Sequence, residues 1–282
     1  MKIIECPRDA MQGLADFVPT EKKIEYINLL LKVGFDTLDF GSFVSPKAVP
    51  QLADTAEVLD GIALTASITK LLAIVANARG VETACSFPEI HYLGFPLSIS
   101  ETFQQRNTNA SIAQGLEVVK QALENCSQAS KQLVVYLSMA FGNPYQDPYS
   151  AQVVIDYAGK LKEMGCSIVS LADTVGLAND NQIYALGGQV LNHFPDLEIG
   201  MHLHSHPMTA YEKVEAVWKS GIRRIDTALG GLGGCPFAED ELIGNMPTES
   251  LLHWAEDQKI NLGLDEKALT QASLYLQTEI LH

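Results

Sequence analysis

The sequence predicts a (β/α)8 TIM barrel, an α/β fold of eight parallel strands, on three observations. The chain has 282 residues, 47% of them hydrophobic, which is enough to bury the core of one such barrel. Short β-type runs alternate with amphipathic stretches of helical length, as in parallel strands joined by crossover helices. No Gly/Ser linker or low-complexity tract interrupts the alternation. A doubly wound open sheet is the alternative, but no strand is followed by a G-x-G-x-x-G turn.

Eight candidate strands follow one another along the chain. They are "KIIE" (2–5), "TLDF" (37–40), "LLAIVAN" (71–77), "HYLGFP" (91–96), "LVVYLSM" (133–139), "SIVSLAD" (167–173), "EIGMHLH" (198–204) and "RRIDTAL" (223–229). Helices are predicted between them. Residues 19–34 open with Pro-Thr and an early Glu, carry apolar residues at three-to-four spacing and end in Gly, and residues 147–165 form a second Pro-led, Gly-ended helix.

We expect a single catalytic domain over residues 1–282. The barrel would occupy about 1–230, and a lid loop with a C-terminal helical segment about 230–282. No apolar run approaches the roughly 18 residues of a membrane span, and the first residues lack the apolar core of a signal peptide. The expected location is therefore the cytoplasm, without a membrane partner.

The charge and cysteine content exclude other classes. Lys and Arg total 19 against 34 Asp and Glu, a formal net charge of −15, which argues against nucleic acid as the main partner. An anionic substrate would need a local basic pocket. Five scattered cysteines form no CxxC pair and no disulfide-framework spacing, so most are expected to be reduced and buried.

Polar side chains collect at the carboxyl ends of the predicted strands, where a barrel carries its active residues. They are Arg8, Asp9, Asp39, Asn77, Ser138, Asp173, Thr174, His202 and His204. Each one alone is more often structural, because any strand end returns to solvent. Carboxylates together with two imidazoles nevertheless form an inventory suited to a metal site or to acid–base chemistry.

The segment "IGMHLHSHP" (199–207) holds three of the seven histidines at alternate positions. In an extended strand, His202 and His204 point to the same side, so both imidazoles would converge on one point. Convergent imidazoles indicate a metal. A polar strand end with solvated histidines is an equally good reading of the spacing alone.

The segment "GGLGGCPFAEDELIGN" (230–245) follows the last predicted strand. Four glycines in five residues precede Cys235 and give a backbone that bends freely and can bring this thiol to the barrel rim. A plain flexible loop is the alternative reading.

Five segments together resemble the 3-hydroxy-3-methylglutaryl-CoA lyase family, within the larger barrel superfamily of metal-dependent lyases, aldolases and acyl-CoA condensing enzymes. They are "PRDAMQ" (7–12), "SFVSPKAVPQLADTAEVL" (42–59), "LADTVG" (171–176), "HLH" (202–204) and "GLGGCPFA" (231–238). The resemblance extends over nearly the whole chain. It implies an enzyme that cleaves 3-hydroxy-3-methylglutaryl-CoA, or a close 3-hydroxyacyl analogue, to acetyl-CoA and acetoacetate by retro-Claisen cleavage.

The resemblance also implies a divalent cation, Mg²⁺ or Mn²⁺, with Zn²⁺ as a further option. Its implied ligands are Asp9, His202, His204 and Asn245. His206 stands where the family has Thr and is expected to cap the next helix or to meet solvent.

Catalytic roles are likewise implied by the resemblance. Arg8 would stabilise the enolate oxygen, Asp9 would relay the hydroxyl proton, and Cys235 would be the acid–base thiol. Asp173 would orient the metal ligands, and Asp39 stands where the family has a longer Glu. The predicted substrate-binding residues are Arg8, Lys47, Arg106 and Ser138.

Several departures from the family pattern leave other functions open. Gly13-Leu14-Ala15 replaces a polar segment, and "VVYLSM" (134–139) lacks an arginine and a cysteine of the family's strand five. The alternatives are a metal-dependent aldolase, an enzyme that condenses an acyl-CoA with a 2-oxo acid, and a barrel that binds a ligand without turnover. An acyl-CoA or a free hydroxy acid is the expected partner, and a homo-oligomer is left open.

Overall fold

A computed structural model describes residues 1–65, 67–234 and 243–281 of the chain. Eight parallel strands pair side by side, and the pairing of the first with the last closes them into a barrel. They are β1 Lys2–Glu5, β2 Thr37–Ser42, β3 Lys70–Ile74, β4 Ile90–Ser98, β5 Gln132–Ser138, β6 Ile168–Asp173, β7 Glu198–Ser205 and β8 Arg224–Thr227. The barrel prediction is confirmed, and closure excludes the open sheet.

Helices surround the barrel. They are α1 Pro7–Gln12, α2 Thr20–Leu30, α3 Thr55–Gly61, α4 Ala78–Cys85, α5 Glu101–Thr108, α6 Ile112–Gln128, α7 Ala151–Glu163, α8 Asp180–His193, α9 Ala210–Lys219, α10 Thr248–Asp257 and α11 Glu266–Tyr275. Short 3-10 turns occupy Pro50–Leu52, Pro207–Thr209 and Leu229–Gly231, and a π turn occupies Leu276–Ile280.

The start and stop signals of the two predicted helices are largely confirmed. Helix α2 begins directly after Pro19, and Gly34, with a φ of 89°, lies beyond its end. Helix α7 is capped instead by Ser150, whose hydroxyl accepts a hydrogen bond from the Val153 amide. The proline of this segment, Pro148, therefore precedes the helix and does not open it, because a serine hydroxyl satisfies a free amide that proline cannot.

The barrel interior is apolar in its middle and charged at its amino end. A buried cluster fills the middle; its members are Leu72, Tyr92, Val134, Tyr136 and Ile168. At the amino-terminal ends of the strands, Glu198 pairs with Lys2 at 2.7 Å and with Arg224 at 3.3 Å. The filled interior leaves the carboxyl ends of the strands as the face on which a site can form.

Of the last two helices, α10 packs against α9 and α11 packs against α2. Helices α10 and α11 follow the barrel, and the rings of Tyr26 on α2 and Tyr275 on α11 stack with centroids 6.4 Å apart. The C-terminal helical segment is thus observed, while the assignment of residues 1–282 to one domain stays a prediction. Within the described ranges, no helix is both long and apolar enough to cross a bilayer.

Candidate active site

Arg8 lies at the centre of an ionic network at the top of β1. Pro7 opens helix α1 directly after the strand, so that Arg8 and Asp9 fall on its first turn and are buried at the rim. The Arg8 guanidinium donates through Nε and Nη2 to Asp39 Oδ2, at 3.0 and 2.5 Å, and through Nη1 to Asp9 Oδ1 at 2.9 Å. Gln12 completes the network by donating to the same Asp9 oxygen at 2.5 Å.

The charges of this network depend on one another. Burial raises the pKa of Asp39 to about 6, although Arg8 opposes the shift. Burial acts on Asp9 in the same sense, but the positive charge of Arg8 and the proximity of His202 outweigh it and lower the Asp9 pKa. Burial would lower the pKa of Arg8, yet Asp39 and Asp9 raise it, so that the guanidinium is permanently charged.

The two histidines of β7 converge on Asp9, as the alternation of the strand predicts. His202 Nε2 lies 3.7 Å from Asp9 Oδ2, and the rings of His202 and His204 are 5.4 Å apart between centroids. Asp9, His202 and His204 each present one ligand atom to a group in which all such atoms lie within 4.8 Å of one another. These distances favour a metal site over a polar strand end with solvated histidines.

The donor set fits a divalent cation. The Nδ1 atom of His204 is buried and has no hydrogen-bond partner among the described residues, which leaves a lone pair or a proton unsatisfied. Burial, together with His202, lowers the pKa of His204 to about 4, so that its ring is neutral and able to act as a ligand. A buried carboxylate beside two imidazoles suits Mn²⁺ or Zn²⁺ and is compatible with Mg²⁺.

Asn245, which follows the barrel strands in the sequence, lies beside Asp9 and His204. It lies in a two-residue strand, β9 Gly244–Asn245, which pairs antiparallel with β7 and sets Asn245 opposite His204. Its Nδ2 atom donates to the Leu232 carbonyl at 2.7 Å. A Cβ on Gly233, whose φ is +84°, would meet Asp9 O at 2.5 Å and Asn245 Nδ2 at 2.7 Å. The glycines of this loop therefore permit close packing against the site as well as bending.

Asp173 is connected to the site through the backbone of β7. It accepts hydrogen bonds from the amides of Leu177 and Ala178, at 2.9 and 3.0 Å, and lies 3.3 Å from Lys213 Nζ. Lys213 in turn donates to the His204 carbonyl at 2.7 Å. The predicted role of orienting metal ligands would thus act on the His204 backbone through a buried ion pair.

The remaining strand-end residues have structural contacts. Ser138 is buried at the end of β5, where its carbonyl accepts from the Ile99 amide. Asn77 caps α4, and the Thr174 hydroxyl accepts from the Met139 amide. His206 accepts a hydrogen bond from the Met208 amide through Nδ1, so it caps the 3-10 turn that precedes α9 and not α9 itself.

The other predicted substrate-binding residues, Lys47 and Arg106, do not belong to the ionic network of Arg8. Lys47 is exposed in the loop after β2, and Arg106 is exposed on α5 with its guanidinium 4.8 Å from the centre of the Tyr145 ring. Their proposed contacts with substrate stay predictions. Cys235 lies outside the described residues.

Asp226 is the residue that sequence reasoning missed. It stands within β8, and its Oδ2 atom lies 3.1 Å from His202 Nδ1. With Cys6 and His202 it forms a second group of metal-capable atoms below the first. The signal was present, since "RRIDTAL" places an acidic residue in the middle of a barrel strand, two positions from an arginine.

Comparison with known proteins identifies the family. The HMGL-like family model matches residues 2–275. The chain belongs to the HMGL-like family. Hydroxymethylglutaryl-CoA lyase YngG of Bacillus subtilis is 33% identical over 274 residues, covering 97% of this chain and 91% of that protein. The (R)-citramalyl-CoA lyase of Chloroflexus aurantiacus is 32% identical over 283 residues, covering 97% and 89%.

Solved structures of HMGL-like proteins share the fold. An HMG-CoA lyase from Acinetobacter baumannii, in complex with coenzyme A and 3-methylmalate, matches with a TM-score of 0.90 at 33% identity and covers 100% of this chain and 91% of that chain. The Bacillus subtilis HMG-CoA lyase matches with a TM-score of 0.91 at 32% identity, covering 98% and 92%. The family resemblance carried by the sequence motifs is confirmed.

Proposed function

We propose that this chain is a divalent-metal-dependent carbon–carbon lyase that cleaves 3-hydroxy-3-methylglutaryl-CoA to acetyl-CoA and acetoacetate. The observation that carries the proposal is the contact chain from Asp39 through Arg8 and Asp9 to His202, at the carboxyl ends of the strands. Similarity to hydroxymethylglutaryl-CoA lyases over nearly the full chain supports it.

The proposed cation ligands are Asp9, His202, His204 and Asn245. The family resemblance favours Mg²⁺ or Mn²⁺, with Zn²⁺ as a further option, and the carboxylate and two imidazoles suit a divalent cation. Such an ion supplies a Lewis acid that polarises the hydroxyl and carboxylate oxygens of a substrate and lowers the hydroxyl pKa.

Arg8 and Asp9 would then act on different steps of the cleavage. The hydroxyl gives up its proton, which Asp9 and its neighbours relay, and the carbon–carbon bond breaks to a ketone and a thioester enolate. The bonding pair becomes the enolate charge, and the guanidinium of Arg8 stabilises it as it develops. The two contacts from Asp39 hold this guanidinium in one orientation, so the shorter Asp side chain reaches its partner.

Two further residues complete the proposal. Cys235 would deliver a proton to the enolate carbon, which yields acetyl-CoA; this role rests on the family resemblance of "GLGGCPFA". Asp173 would position His204 through Lys213. Ser138, Lys47 and Arg106 are proposed to contact the substrate, the last two as basic partners of an acyl-CoA tail.

A second substrate has a specific observation in its favour. The similarity to an (R)-citramalyl-CoA lyase is nearly equal to that to hydroxymethylglutaryl-CoA lyases. The same arrangement could cleave that related hydroxyacyl thioester. A condensing enzyme, an aldolase or a non-catalytic barrel is less well supported, because the ionic network and the convergent histidines serve no evident purpose in the fold alone.

The cellular setting also stays a proposal. Relatives include proteins named cytoplasmic and mitochondrial, and we propose the cytoplasm for this chain. Assembly into a homo-oligomer is left open.

The test is a steady-state assay with the chelator-treated protein and its Mg²⁺- or Mn²⁺-reloaded form. The expected result is metal-dependent formation of acetyl-CoA and acetoacetate in equal amounts from hydroxymethylglutaryl-CoA. Rapid cleavage of (R)-citramalyl-CoA with none of hydroxymethylglutaryl-CoA would select the second substrate. Failure of both thioesters alongside rapid cleavage of a free hydroxy acid would refute the acyl-CoA assignment.

A further inference from the structure

Both ring nitrogens of His202 face carboxylates. Nε2 lies 3.7 Å from Asp9 Oδ2 at the rim, and Nδ1 lies 3.1 Å from Asp226 Oδ2 inside the barrel. Asp226 is fixed by the sheet itself, because the register of β7 against β8 sets His202 directly beside it. The orientation of the ring therefore depends on two strands and on a carboxylate that belongs to neither the ionic network of Arg8 nor the proposed ligand set.

Asp226 is deeply buried: the positive charge of Arg224 acts on it, but no hydrogen bond joins these two residues within the described part of the chain. Its side chain is 1% exposed, and its Oδ1 atom has no hydrogen-bond partner among the described residues. The rings of Tyr136 and His202 meet edge to face, with centroids 5.7 Å apart, so that Tyr136 also restricts the orientation of the imidazole. The contact at 3.1 Å brings His202 Nδ1 within hydrogen-bond distance of the carboxyl group, which accepts when Nδ1 carries a proton.

We propose that Asp226 is the positioning residue of the site: it accepts a hydrogen bond from His202 Nδ1 and so holds the ring with Nε2 directed toward Asp9, where a cation binds. The inference rests on the proposed metal site and adds to it the group that fixes one ligand. A carboxylate on the far nitrogen of a metal-binding imidazole sets its tautomer and direction. Asp173 acts on a different ligand: within the described residues it is linked to the His204 carbonyl through Lys213.

The contacts also define a competing arrangement. Cys6, His202 and Asp226 present ligand atoms within 4.8 Å of one another, so a thiophilic ion could use Asp226 directly. Substitution of Cys6 separates the two cases, because its thiol belongs to the lower group alone. Within the described residues its one hydrogen bond is to the Ile4 carbonyl, at 3.5 Å.

The first measurement uses the metal-free wild-type protein. Nitrogen-15 NMR of labelled histidine reports which nitrogen carries the proton, and a His202→Gln variant assigns the signal. We expect Nδ1 of His202 to carry a proton in the wild type, and Asp226→Asn to shift the neutral ring toward protonation at Nε2. A wild-type ring without a proton on Nδ1 would overturn the inference, whether or not the protein binds a cation.

The second measurement is Mn²⁺ affinity by equilibrium dialysis. Asp226→Asn should weaken binding about 10–100-fold, while Cys6→Ser should leave it within about twofold. Asp54→Asn is the matched control, since it also removes a buried carboxylate but one that pairs with Lys23 away from the site. It should lower the melting temperature without changing the affinity.

The measurements distinguish failure of the positioning role of Asp226 from failure of the proposed metal site. Equal Mn²⁺ affinity in Asp226→Asn and wild type, or an equal loss in Cys6→Ser and Asp226→Asn, would overturn the positioning role. A wild-type protein with the Nδ1 proton but without Mn²⁺ binding would contradict the proposed metal site and still support the contact between Asp226 and His202.

Discussion

At the scale of single residues, the site is organised by the pairing of one buried arginine with two carboxylates. Arg8 contacts Asp39 through two nitrogens and Asp9 through a third, so its plane is fixed before any substrate arrives. Such preorganised charge stabilises a developing anion more than mobile charge does, because no reorganisation is needed during the reaction. The proposed role of Arg8 therefore suits a guanidinium, which makes three directed contacts, better than an ammonium group.

Arg8→Gln should reduce turnover by about 10² or more, comparable to the loss of one oxyanion donor. Its effect on metal affinity should be smaller, since Asp9 keeps its hydrogen bond from Gln12. His204→Ala is the comparison variant and should chiefly weaken Mn²⁺ binding. Turnover and Mn²⁺ affinity are measured on the same preparations, and the same pattern of loss in both variants would contradict this division of roles.

Residue-level prediction from sequence succeeded where a side chain follows directly from strand geometry. The alternation of β7 places His202 and His204 on one side, and the strand end of β1 places Asp9 beside them. It missed Asp226 because the contact with His202 depends on the register between two strands, which no single segment encodes. The position of Asp39 was predicted, but its pairing with Arg8 requires three-dimensional geometry.

At the scale of elements, the described glycines of residues 230–234 and strand β9 pack against the site at Asp9 and Asn245. The φ angles of Gly230, Gly231, Gly233 and Gly234 are all positive, a backbone conformation that side chains disfavour. At Gly233 the space is closed as well, because Asp9 and Asn245 lie against it. This loop fixes how closely the last strand approaches the first helix.

Gly233→Ala should weaken Mn²⁺ binding about tenfold or more, since its methyl group would displace Asp9 or Asn245. Gly263→Ala is a matched control: its φ is +74°, but nothing lies within 4 Å of the added atom. Both variants should lose some thermal stability from backbone strain, roughly 1–2 kcal/mol. Dialysis and thermal unfolding separate the effects, and equal affinity in the two variants would argue against crowding at the site.

The boundaries of elements show what sequence patterns leave out. Each of the eight strands lies within a few residues of its predicted position, because buried parallel strands are short apolar runs between amphipathic helices. The two-residue strand β9 was not predicted, since so short a segment has no periodicity. It forms because Asn245 and Gly244 pair with the end of β7.

At the scale of the whole molecule, Glu5 joins the first strand, the last barrel strand and the helix that follows. It accepts hydrogen bonds from the Leu229 amide at 2.7 Å and from the Thr248 hydroxyl at 2.6 Å. Burial raises its pKa from the ordinary value of 4.5 to about 8, although these hydrogen bonds oppose the shift. Glu5 is therefore a protonated acid in the folded protein at neutral pH.

A raised pKa in the folded state means that the folded protein holds this proton more tightly than the unfolded chain. The associated stability is fully present below pH 4.5 and is lost as pH rises toward about 8. Glu5→Gln mimics the protonated acid. As pH rises from 4.5 to about 8, the melting temperature of this variant should therefore fall less than that of the wild type. The divergence at pH 8 should be on the order of a few kcal/mol in unfolding free energy.

Thermal unfolding at matched ionic strength measures both curves. Glu57→Gln, which removes an exposed carboxylate on α3, is the control and should run parallel to wild type. Parallel curves for Glu5→Gln and wild type would show that Glu5 ionises normally in the folded protein.

The pairing of β1 with β8 has a consequence for a chain made from its amino end. Lys2, Ile3, Ile4 and Glu5 meet their partners in β8 only after the seven earlier strands have been synthesised, so one edge of β1 stays open until then. The charged Lys2 and Glu5 at the two ends of this strand discourage pairing with a neighbouring nascent chain. Asp9 meets His202 and Asn245 at the same late stage. The proposed cation site is therefore complete only once the ring of strands has closed.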